Sequence, residues 1–84
     1  QELKNALSIL DDKISKAQAE TEETKAQITR LSGSRGLLQQ EVGITRDMVA
    51  QKAVSKLELI RLERELTDIS GQLAASTERL EGLN

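Results

Sequence analysis

Residues suited to a helical seam return at alternating steps of four and three along nearly the whole chain. Leu3, Leu7, Leu10, Ile14, Ala17, Thr21, Thr24, Ile28, Leu31, Arg35, Leu38, Val42, Thr45 and Val49 keep one phase, with polar lapses. That spacing is a coiled-coil stripe, and a chain that keeps it has few ways to fold other than as long helices laid side by side. Proline is absent from all 84 residues, so no ring interrupts the helical ladder.

A second seam follows, made of Leu59, Leu62, Leu66, Ile69, Leu73, Ser76, Leu80 and Leu83, and only Ser76 lapses. Outside the seams the charges fall at i,i+4 spacing: Arg61 with Glu65, Arg64 with Asp68, Asp12 with Lys16 and Lys16 with Glu20. Such pairs support a solvated helix face by a few tenths of a kcal/mol each, roughly, and imply no chemistry.

Ser32-Gly-Ser-Arg-Gly36 has the composition of a loop, yet Leu31 and Leu38 stand one heptad apart, so the phase survives across it. One helix running through the glycines is the favoured reading, at a cost of about 1 kcal/mol for each interior glycine. A break at 32–36 is the alternative. It would give a three-helix arrangement in which residues 1–31 fold back.

Between the seams lies QKAVSKLEL, residues 51–59. With Ser55 as N-cap, Glu58 occupies the third helical position. This is the Ser-x-x-Glu capping box, in which each side chain bonds the other's free amide. Val54 before the cap and Leu59 at the fourth position form the accompanying staple. The expected all-α fold is a long antiparallel coiled-coil hairpin: helix one about 2–51, tip 52–55, helix two about 56–83. A connection this short joins antiparallel neighbours.

The seams suggest a register with Val49 against Leu62, Val42 against Ile69, Leu38 against Leu73, Leu31 against Leu80 and Ile28 against Leu83. It sets Arg35 opposite Ser76, one lapse against another, and brings Arg46 beside Glu63. Helix two then reaches back to about residue 27. Leu3, Leu7, Leu10 and Ile14 are left over, to be covered in a larger protein by a continuation of helix two, or in the isolated chain by a second copy. Another surplus gathers near the bend, where Leu37, Ile44 and Met48 share a stripe and Leu57 and Ile60 face outward from helix two. Grouped exposed apolar residues mark contact surfaces, here expected for hairpin–hairpin packing.

Composition excludes most other functions. The chain lacks histidine, cysteine and every aromatic, and its net charge is -2. Ser55 thus has no base to activate it as a nucleophile. Phosphates find no basic face and bases no stacking platform. Carboxylates alone, without the spacing of a calcium loop, predict no metal, and no cofactor is expected. Apolar runs fall far short of the ~20 residues that span a bilayer.

The run ITRDMVAQKAVSKLELIRLERE, residues 44–65, resembles the hairpin tip of periplasmic membrane fusion proteins of the haemolysin D type, the adaptors of type I secretion systems. Leu66-Thr-Asp-Ile-Ser-Gly-Gln-Leu73 continues the likeness, which covers roughly residues 42–83. The resemblance implies a hairpin in the periplasm, in a parent protein anchored in the inner membrane of a Gram-negative bacterium and working with an inner-membrane ABC transporter. It implies a homo-oligomeric ring of adaptors and docking to a TolC-like outer-membrane channel through Met48, Lys52, Ala53, Val54, Ser55 and Lys56. Hairpin–hairpin packing would use Leu37, Ile44, Leu57 and Ile60. In related drug-efflux adaptors the tip carries an arginine, a leucine and a serine. Ser55 matches the serine, Met48 stands at the leucine and Ile44 at the arginine, while Arg46 lies two residues out of place; Ala53 stands where the family often has glycine. The other reading is a structural antiparallel coiled-coil spacer or oligomerisation module with an inert bend.

Overall fold

A computed structural model describes residues 1–83. It contains two helices, α1 at Glu2–Ala50 and α2 at Lys56–Leu83, joined by a five-residue turn. A helix of 49 residues at ~1.5 Å per residue should span ~74 Å. The molecule measures 75 × 15 × 14 Å, so α1 runs its full length without folding back. The alternative break at 32–36 is not taken. Gly33, Gly36 and Gly43 all stand within α1, in open surroundings and with no positive φ.

The core is a thin line where the two seams meet. Leu38, Val42 and Leu62 are buried together, with Leu59, Leu66 and Ile69 packed against them. Leu31 and Leu73 extend the line, and Thr24, Thr45 and Ser76 are its buried polar members. This arrangement corrects the expected register by one heptad. Val42 and Leu62 are buried in one cluster, and Leu83 stands beside Ile14, Ala17 and Thr21 where the expected register put Ile28. At the far end Arg79 reaches Thr24 and Gln27, and Leu83 lines a cleft with Ala17 and Thr21, so α2 extends past residue 27.

The physical reason is turn closure. In the expected register, Lys56–Ile60 would project beyond the end of α1 and leave Leu59 uncovered. The turn instead begins directly after Ala50 and returns α2 close enough for Leu59 to pack on the core. The match between Arg35 and Ser76 was the wrong criterion. Ser76 is small enough to be buried beside Gln27 and Arg79, whereas Arg35 keeps a half-buried seam position with its Nε shielded and unpaired.

Residues 1–20 are all exposed, and Ile14, Ala17 and Gln18 among them border the cleft that Leu83 lines. No helix among the described residues is long and apolar enough to cross a membrane.

Candidate functional site: the hairpin tip

The turn is built by hydrogen bonds at both ends. On the α1 side the Ala53 amide donates to the Met48 carbonyl at 2.8 Å and the Lys52 amide to the Val49 carbonyl at 2.9 Å. This crossed pair is a Schellman motif, which satisfies carbonyls that the end of a helix otherwise leaves free. The motif requires a left-handed residue after the C-cap. Lys52 supplies it, with φ 60, the one non-glycine residue at positive φ among those described.

On the α2 side the Ser55 hydroxyl accepts the Leu57 amide at 3.0 Å, while the Glu58 amide donates to the Ser55 carbonyl at 3.1 Å. Ser55 therefore caps α2 through the second helical amide. The reciprocal half of the expected capping box is replaced. The Glu58 carboxylate accepts from Arg61 at 2.6 and 3.4 Å, and Arg61 also bonds Glu65 at 2.8 Å. A guanidinium one turn away offers a charge-assisted partner that outcompetes a neutral backbone amide. The hydrogen bond from Arg61, reinforced by its charge, holds the Glu58 carboxyl below its ordinary 4.5.

The tip side chains surround this frame. Lys52, Ala53, Ser55 and Lys56 are exposed, Val54 is half-buried, and Met48 is 38% exposed. Of the residues expected to pack between hairpins, Leu37 and Ile44 border one shallow cleft with Gln40 and Glu41. Leu57 and Ile60 are likewise exposed, on the early turns of α2. Arg46 sits at 3.4 Å from Glu63, an exposed cross-helix pair worth ~0.2–1 kcal/mol. Asp12 with Lys16, Lys16 with Glu20 and Arg64 with Asp68 do not close into ion pairs among the described residues.

Sequence reasoning missed two features. The left-handed Lys52 carries no signal, because neither glycine nor asparagine stands there. The second is a polar latch at the open end. Fully buried Thr24 donates its hydroxyl to the Glu20 carbonyl at 2.8 Å and accepts from Arg79 at 3.3 Å, and Arg79 also reaches the Gln27 side chain at 3.4 Å. Arg79 flanks the seam of α2, so its reach could be placed only once the register was known.

No three acidic residues among those described cluster as a metal site would require. The fold and its tip define a class: a projecting antiparallel α-helical hairpin closed by a structured turn. The family model described as "AprE, long alpha-helical hairpin" matches residues 1–84, and the chain belongs to this family, the hairpin of AprE-type membrane fusion proteins. These are periplasmic adaptors of secretion systems, and the family is not one of enzymes. Comparison with curated proteins and with solved structures gave no match.

Proposed function

We propose that this hairpin bridges an inner-membrane ABC exporter to a TolC-like outer-membrane channel in type I protein secretion, and that it meets the channel with its tip. The parent protein is anchored in the inner membrane of a Gram-negative bacterium, and its copies stand side by side in a ring through Leu37, Ile44, Leu57 and Ile60. Met48, Lys52, Ala53, Val54, Ser55 and Lys56 form the docking end. The reading rests on membership of the adaptor family over the whole chain. One structural observation carries the docking part: the turn is hydrogen-bonded from both helices while its side chains face outward. A surface organised before contact loses less entropy on binding than a loose loop would.

The test uses the full-length protein in its secretion system, with Met48, Val54 and Ser55 replaced together by alanine. Export should be lost while copurification with the inner-membrane transporter persists. Undiminished secretion would refute tip docking.

A further inference from the structure

The turn carries two lysines at positions where the hairpin itself has no use for them. Lys52 is the left-handed residue of the Schellman motif, at φ 60, a conformation that glycine adopts freely and that a β-carbon disfavours. Lys56 is the first residue of α2. Free amides give that end of a helix a partial positive charge, so a cation there is repelled and an acidic residue is preferred.

Neither lysine is compensated within the chain. Both are exposed, and neither takes part in an ion pair among the described residues. Glu58, the carboxylate in the first turn of α2 that could offset Lys56, is held by Arg61 at 2.6 Å. Residues 51–57 thus hold two cations and no anion, in a chain whose net charge is -2. Conformational cost retained at a surface turn points to a use outside the fold.

The turn also fixes the backbone from which each charge projects. The Lys52 and Ala53 amides tie the first lysine to the end of α1, and the Ser55 hydroxyl, accepting the Leu57 amide at 3.0 Å, ties the second to the start of α2. Between them an apolar pocket would find only Ala53 and the half-buried Val54. Ammonium groups on long stems are strongly hydrated point charges that suit exposed carboxylates. We propose that Lys52 and Lys56 are the recognition elements of the tip and that the surface they meet is acidic, formed by Asp or Glu carboxylates of the channel protein. This inference rests on the tip-docking reading and names the chemistry of the partner. Complementary charges at the rim of a contact steer the approach and select the partner.

The full-length protein in its secretion system tests it, through copurification with the channel and through export. Lys52→Gln with Lys56→Gln should weaken copurification about tenfold, whereas Lys52→Arg with Lys56→Arg should keep it within about twofold of the native protein. Raising the ionic strength should weaken the native complex and have little effect on what remains with the glutamine pair. Lys52→Gly separates recognition from folding, because it relieves the turn while removing the charge: the hairpin should unfold at a higher temperature and still copurify less. A carbodiimide, which takes up water as it joins an amine to a carboxylate, should link Lys52 or Lys56 to an Asp or Glu of the channel. Undiminished copurification of the glutamine pair, an arginine pair as weak as the glutamine pair, or no crosslink from either lysine would each overturn the proposal. If alanine at Met48, Val54 and Ser55 abolishes export while the glutamine pair does not, docking stands and the acidic partner falls; undiminished export in both removes the docking reading itself.

Discussion

Replacing Lys52 by glycine should stabilise the hairpin, although it removes a side chain and nominally loosens the turn. Lys52 holds φ 60 so that its own amide and that of Ala53 can reach back to Val49 and Met48. For a residue with a β-carbon the left-handed conformation costs roughly 1–2 kcal/mol, because the β-carbon crowds the following carbonyl. Glycine avoids that cost but loses more backbone freedom on folding, roughly 0.5–1 kcal/mol. The difference favours Lys52→Gly by about 1 kcal/mol, or roughly 4–8 °C in Tm for a chain of this size. Ala53→Gly is the internal control. Its backbone has no positive φ to relieve, so only the entropic term remains and the variant should lose roughly 0.5–1 kcal/mol. Urea unfolding followed by far-ultraviolet circular dichroism measures both, at several protein concentrations so that association does not enter the comparison. If Ala53→Gly proves the more stable of the two, glycine belongs one position later and the Schellman geometry is wrong.

Other expectations follow from the core and the charges. Arg35→Leu should stabilise by about 1 kcal/mol in the same unfolding assay, because it removes a shielded Nε that has no acceptor and adds apolar contact to the seam; a loss of stability would show that the guanidinium has a partner. Cysteines at Val42 and Leu62 should form an intrachain disulfide readily, whereas cysteines at Val42 and Ile69 should not, and the reverse result on mass analysis would restore the expected register. The Glu58 carboxyl titrates lower when folded than when unfolded, so its stabilising effect is complete above its ordinary 4.5 and disappears as pH falls through the lower folded value. Glu58→Gln should therefore flatten the acid limb of a Tm-against-pH curve; an unchanged limb would mean that the pair with Arg61 is not formed in solution.

The extent to which the fold was legible differs from element to element. The unbroken passage of α1 through Ser32–Gly36 could be read from the one-heptad spacing of Leu31 and Leu38, since both must stay on one stripe if either is to be buried. Ser55 as the start of α2 was legible because a hydroxyl directly before a helical pattern has a local task. Glu58 was misread for the opposite reason. Its carboxylate had two candidate partners within one helical turn, and the stronger donor lay on the C-terminal side. Of the tip, sequence reasoning placed the residues but not the conformation, because nothing in Lys52 itself announces a left-handed backbone.

Two seams in heptad phase, the absence of proline and a serine cap determine by themselves that this chain is a long antiparallel hairpin, because each acts over a few neighbouring residues or repeats along the whole chain. The register between the seams was decided only by the tertiary structure. A heptad pattern returns to itself after every seven residues, so sliding one helix past the other by that distance still sets seam positions against seam positions. What distinguishes the alternatives is where the turn closes. The left-handed Lys52, together with the packing of Leu59 against Leu38, Val42 and Leu62, places that closure immediately after Ala50.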